Sequence, residues 1–266
     1  MRNKDMSGFR EAGLLALKAK IAALEAGGRG VSGVLPFGDA RLDEAFIKGG
    51  LPLGQWHEFV SGGMEAETCA APAAFAALMA SPLARRGEAV WILRRDDLFA
   101  PGLAGLGFPA EKLIEVCARD EAEALAVAED ALATEGVSAV FAEVEAVDLT
   151  AGRRLQLACE TRGATGFILR RRPYGGVDRQ STGTAAATRW RVSPAPSQPE
   201  PGMLGLGAPR WEVHLERCRA GRPGAWLMEA VDAYTCEAKH GTHPLRLVAP
   251  LGDRQLAPTT PLRLAG

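Results

Sequence analysis

Apolar positions along this 266-residue chain change rhythm repeatedly between residues 55 and 171. Short runs rich in Val, Ile, Phe and Trp predict strands at 55–60, 88–94, 112–118, 137–144 and 164–171. Between them, stretches with helical spacing predict helices at 65–83, 100–107, 120–136 and 148–163. The helix at 120–136 is the best marked, with acids in its first turn and Gly136 at its end. Strands alternating with helices of this length imply crossover connections and a mostly parallel sheet covered on both faces. The expected fold class is therefore α/β.

The flanks follow other patterns. Near the N-terminus, Leu14, Leu17, Ile21 and Leu24 recur at helical spacing within Phe9–Ala26, and "GGRG" ends the helix. That apolar face either packs on its own core or docks on a neighbouring protein. The stretch "GVLPFGDARLDEAFIKGGLPLGQW" predicts a short helix between two turns. Beyond Arg170, "TAAATRWRVSP" reads as a strand and "RWEVHLERCRAGRPGAWLMEAV" as a hairpin turning at "AGRPG". The Pro/Gly-rich residues 194–209 read as a loop. Residues 232–266 carry Tyr234, Leu245, Leu247, Val248, Leu251, Leu262 and Leu264 without sustained periodicity, interspersed with Arg246, Arg254 and Arg263. Such a segment suits ordering on a partner, and the alternative is that it wraps back over its own sheet. The organisation expected is an N-terminal helix and linker (1–29), a core (30–193), the loop (194–209), the hairpin (210–231) and an interaction tail (232–266). No internal repeat is visible.

Composition narrows the partners. A formal net charge of −1, with 24% charged and 47% hydrophobic residues, gives no global pull toward nucleic acid or a membrane surface. No apolar run approaches the roughly 20 residues that cross a bilayer, and "MRNKDMSGFREAG" lacks the apolar stretch of a secretory signal. The five cysteines (Cys69, Cys117, Cys159, Cys218, Cys236) are scattered and odd in number, so the expected setting is reduced and cytoplasmic.

The stretch "SGGMEAET" lies between a strand and a helix, where a phosphate-binding loop would be. Placed on the pattern G-x-x-x-x-G-K-[ST], it puts Ser61 at the first glycine, Ala66 at the second, Glu67 at the lysine and Thr68 at the Ser/Thr, with Gly62 and Gly63 between. Only Thr68 matches. Exchanging a lysine for Glu67 removes an attraction to phosphate and adds a repulsion, each about 4 kcal/mol at 4 Å for an effective dielectric near 20, before solvation is discounted.

What surrounds this loop resembles the entry to the RecA recombinase core. Gly38, Leu42 and Asp43 match a T/S-G-x-x-x-L-D motif, and Gly49, Gly50, Leu51, Pro52 and Gly54 match "GGLP-G" ahead of the phosphate-loop strand. More narrowly, the degraded loop, "AATRWRVSPAPS" and "RAGRPGAWLMEA" are similar to the ImuA family, over roughly residues 30 to 231. That resemblance implies a RecA-like P-loop NTPase core and an accessory role in error-prone translesion DNA synthesis under the SOS response. The partners it implies are an ImuB-like Y-family adaptor, an error-prone C-family polymerase and RecA, with no membrane. On the RecA pattern Glu143 stands at the Mg²⁺ carboxylate, Asp96 or Asp97 at the water-activating glutamate, and "ILRRR" replaces the γ-phosphate-sensing N-Q. With the lysine missing, ATP binding is expected to be absent or very weak, and no catalytic residue or cofactor is assigned. Two competing functions are a SulA-like inhibitor of cell division that binds FtsZ and a divergent ATPase acting on RecA filaments.

Where RecA carries a DNA-contacting loop, this chain has Arg170, Arg171, Arg172, Arg179, Arg189 and Arg191 against Asp178, with Tyr174 available for stacking. Such a patch suits either phosphates or a protein partner. Cys236, His240 and His243 are zinc ligands by type, but no fourth ligand follows at motif spacing, so no metal is assigned. Cys69 at a predicted helix start, with no histidine at motif distance, reads as structural.

Overall fold

A computed structural model describes residues 33–63, 70–171, 184–199, 202, 205–231 and 243–251. Strands β3 (Trp56–Ser61), β4 (Glu88–Leu93), β5 (Leu113–Cys117), β6 (Val137–Val144), β7 (Thr165–Arg170) and β8 (Thr188–Ala195) run parallel. Strands β9 (Arg210–Cys218), β10 (Gly224–Ala230) and β11 (Leu245–Pro250) extend that sheet antiparallel. The nine-stranded order is β5-β4-β6-β7-β3-β8-β9-β10-β11. The phosphate-loop strand β3 is thus central and separated from β6 by β7.

Period-two alternation divides the side chains between two cores. One face takes Phe59, Trp91, Phe141, Phe167, Trp190, Trp211 and Trp226. Against it lies α2 (Ala71–Ala84), whose small and apolar residues are buried on nearly every side. The opposite face takes Trp56, Val90, Val140, Ala142 and Ile168. Helices α4 (Glu121–Leu132) and α5 (Leu149–Arg162) cover it through Ala124, Ala128, Leu132, Leu155 and Cys159. Asp120 caps α4 by accepting from the Glu123 N–H at 2.8 Å, and Asp148 caps α5 through Ala151 N–H at 2.7 Å. Gly163, left-handed at φ +80°, ends α5. Helix α3 (Ala100–Gly105) and a 3₁₀ turn (Ala110–Lys112) link β4 to β5.

The segment ahead of β3 forms β1 (Val34–Leu35), α1 (Ala40–Asp43) and β2 (Leu51–Pro52). Its motif residues act structurally. Asp43 accepts from the Phe37 and Gly38 N–H groups at 2.8 and 3.0 Å, closing the turn, while Leu42 is fully buried. At Gly50 a Cβ would stand 2.7 Å from the Leu35 carbonyl oxygen, so β1 and β2 meet only over a bare Cα. The same segment is tied to the β9–β10 turn, with Ile47 N–H donating to Ala220 and Arg222 N–H to Ala45.

The C-terminal part departs from expectation. Residues 245–250 form the edge strand β11, paired with β10, rather than a tail awaiting a partner. Leu245 and Leu247 are 3% and 6% exposed and pack in the α2-side core, so they are corrected from partner contacts to core residues. The reason is parity: in "PLRLVAP" the two leucines alternate with Arg246, which pairs with Glu229 on β10. The hairpin at 210–231 is likewise part of the main sheet rather than an appendage. Elsewhere α4 stops at Leu132 and α3 at Gly105, short of their expected ends.

Candidate functional site

Parallel strands direct their carboxyl ends to one edge of the sheet, where crevices bind ligands. At the end of β3 the Ser61 hydroxyl donates to the Gly63 carbonyl at 3.0 Å, folding the chain into a turn. Gly62 N–H donates to Val192 of β8, and a Cβ on Gly62 would fall 1.8 Å from the Ser193 hydroxyl oxygen. This turn lies flat on β8 because residue 62 has no side chain. Ala66, Glu67, Thr68 and Cys69 lie outside the described residues, and α2 follows with Pro72 in its first turn.

Beside this turn stands an ionic cluster. Glu143 is the penultimate residue of β6, Asp97 lies in the loop after β4, and Arg171 follows β7. The Arg171 guanidinium meets both Asp97 oxygens at 2.8 Å and one Glu143 oxygen at 2.9 Å. The Trp91 indole N–H donates to the other Glu143 oxygen at 3.3 Å. Arg171 beside Asp97 holds that carboxyl below the usual range. Burial pushes the Glu143 carboxyl up, while Arg171 and Trp91 pull it back. Asp96 is exposed at the same edge. A RecA-like fold implies a divalent cation on carboxylates here, and the residues present do not suit one. Both carboxylates are already spent on a guanidinium, and a cation adds repulsion.

On the opposite face of the sheet lies a second cluster. Glu58 of β3 accepts from Arg170 of β7 at 2.6 Å, and Arg189 of β8 stands 3.8 Å from its other oxygen. Arg189 also reaches Glu216 at 3.4 Å, and Arg191 pairs with Glu216. Arg170 donates to the Glu145 carbonyl as well. The Arg170 and Arg189 side chains are 4% and 8% exposed, which removes them from any DNA or partner surface. Arg191 stays half-exposed on its ion pair. Arg172, Tyr174 and Arg179 lie outside the described residues, as do Leu14, Leu17, Ile21, Leu24, Tyr234 and Leu262. Leu251 sits partly buried after β11.

Sequence reasoning missed Glu58 and its neighbour His57, although "QWHEFV" signals both. Two polar residues inside a strand destined for the sheet centre need buried partners. His57 accepts from the Thr188 hydroxyl at 2.7 Å and donates to the Pro52 carbonyl at 2.9 Å. The Trp190 indole in turn donates to Thr188 at 2.8 Å. Burial lowers the His57 pKa to about 4. His243, the former zinc candidate, is buried against Phe37 with ring centroids 4.8 Å apart, and its pKa is also lowered to about 4. Among the described residues no group of three metal-ligating side chains comes together, and no helix is long and apolar enough to cross a membrane.

A central phosphate-loop strand, a crossover strand between it and β6, and a ligand edge at the carboxyl ends define a RecA-like P-loop NTPase core, here with its acids paired to arginine. A KaiC-like protein of the hyperthermophilic archaeon Pyrococcus horikoshii OT3 has this fold, with a TM-score of 0.51 at 14% identity over 81% of this chain and 99% of its own. No family model matches the chain. Two curated relatives, each named Protein ImuA, come from Caulobacter vibrioides strains NA1000 and ATCC 19089. Each is 57% identical over 240 residues, covering 88% of this chain and 96% of the relative. The chain belongs to the ImuA family.

Proposed function

We propose that this chain is a non-catalytic RecA-like scaffold for error-prone translesion synthesis in the SOS response. It binds an ImuB-like Y-family adaptor, reaches an error-prone C-family polymerase through that adaptor, and contacts RecA. The observation that carries the non-catalytic reading is the Arg171 pairing to Asp97 and Glu143, which engages the two acids an ATPase of this fold would lend to metal and water. Glu67 at the lysine position acts in the same direction. The remaining candidate partner contacts are Leu14, Leu17, Ile21, Leu24, Tyr234, Leu251 and Leu262, together with Arg172, Tyr174, Arg179 and Arg191. DNA is engaged through the partners.

A pull-down of the ImuB-like adaptor by the full chain, with and without ATP, tests this reading. Capture that is equal in both conditions is expected. Capture that requires ATP returns the chain to the divergent-ATPase class, and failure to capture the adaptor at all removes the scaffold role.

A further inference from the structure

The fold implies a divalent cation at the carboxyl ends of β4, β6 and β7, and the side chains there refuse one. That disagreement has a specific content. The elements meeting at this point are the loop after β4, carrying Asp97, the end of β6, carrying Glu143, and the end of β7, carrying Arg171. Carboxylates converging from neighbouring strand ends repel one another unless a cation joins them. A hard divalent ion would do so through oxygen ligands. Here a guanidinium does so, using two N–H groups in fork geometry on Asp97 and sharing one with Glu143.

The contacts are specific. Glu143 is 3% exposed, and its second oxygen takes the Trp91 indole N–H, so the carboxylate keeps one oxygen turned to Arg171. Arg171 is itself held in register, since its backbone N–H donates to the Val144 carbonyl at 3.0 Å, one residue beyond Glu143. The Arg171 guanidinium is therefore carried to the acids by the strand pairing of β6 and β7.

We infer that Arg171 is a built-in substitute for the divalent cation of this fold, joining the ends of β4, β6 and β7 without metal or nucleotide. A metal comes and goes with its nucleotide, whereas a covalently attached cation holds the strand ends together permanently. The inference deepens the non-catalytic reading but can fail separately from it, because its test uses metal alone and needs neither ATP nor the adaptor.

The experiment is a titration of the full chain with Mn²⁺, followed by electron paramagnetic resonance, with thermal melting in Mg²⁺ alongside. The native chain should show no saturable Mn²⁺ binding at millimolar concentration and an unchanged Tm in Mg²⁺. Arg171→Gln removes the charge, and should melt lower by about 2–4 °C at most and recover part of that loss in millimolar Mg²⁺ or Mn²⁺. In Arg171→Gln/Asp97→Asn the metal-dependent recovery should vanish. Arg171→Lys keeps a positive charge at the same place and should refuse Mn²⁺ as the native chain does, which keeps the test decisive if the glutamine variant does not fold. Saturable Mn²⁺ binding by the native chain that Asp97→Asn abolishes would overturn the inference, as would a folded Arg171→Gln chain indifferent to metal. Mn²⁺ binding by the lysine variant would also overturn it.

Discussion

Arg170 and Arg171 are consecutive, yet they serve opposite faces of the sheet and meet different electrostatic conditions. Arg170 turns toward the α4–α5 side, into a dry cluster with Glu58 and Arg189 whose side chains are nearly all removed from water. Arg171 turns toward the α2 side, to a cluster that is dry at Glu143 but open at Asp97, whose side chain is 43% exposed. Burial decides what each pair is worth. In the dry cluster, loss of one partner strands a charge where water cannot reach it. At the open edge water screens the Asp97 half of the cluster, so Arg171 joins the strand ends at a smaller gain in stability than the dry cluster provides. Strand β3 repeats the device, with His57 on the α2 side and Glu58 on the other.

The largest effect should come from Glu58→Ala, which leaves Arg170 and Arg189 without their shared carboxylate. A loss of about 3–5 kcal/mol is expected, measured by denaturant unfolding at pH 7. A loss under about 1 kcal/mol, the value of a surface pair, would erase the distinction between the two clusters.

Acid should act on the opposite face of β3. The folded pKa of about 4 for His57 and for His243 lies below the ordinary 6.5, so the unfolded chain binds more protons between those values. Their stabilising contribution is complete above pH 6.5 and is lost as pH falls toward 4, on the order of 3 kcal/mol for each histidine. His57→Gln should flatten that slope by about half. A slope identical to that of the native chain would mean that His57 is not held neutral by burial.

Leu247→Ala in β11 is an apolar comparison for the ionic losses. About 2–4 kcal/mol should disappear, as for other buried leucines, with no new pH dependence. Unchanged stability would return residues 245–250 to the role of a free tail. The smallest effect belongs to Arg171→Gln, about 1 kcal/mol, because Asp97 is substantially exposed and the buried Glu143 carboxyl, which burial already pushes toward its neutral form, keeps the Trp91 N–H. A loss comparable to that of Glu58→Ala would show the open cluster to be structural as well.

These contrasts also explain what was legible in the sequence. The β–α alternation of residues 55–171 and the hairpin at "AGRPG" are written in long periodic stretches, and the structure reproduces both. Strand β11 was hidden because its alternation lasts only from Leu245 to Leu247, where Val248 breaks it, with Pro244 and Pro250 at either side. The arginines from the end of β7 onward look like one basic patch when counted along the chain. Strand parity separates them, sending Arg170 inward, Arg171 to the carboxylates and Arg189 to Glu58. Parity alone does not name the partner, because Glu58 and Glu143 come from strands 112 and 28 residues away. At the phosphate loop, by contrast, the decisive mismatch at Glu67 is visible in sequence and lies outside the described residues.

The most direct test of a nucleotide site closed by arginine is calorimetric titration of the full chain with ATP in the presence of Mg²⁺. No saturable heat is expected for the native protein, and the same is expected of Glu67→Lys, because Arg171 still engages both acids. Micromolar ATP affinity in the native chain would contradict the account.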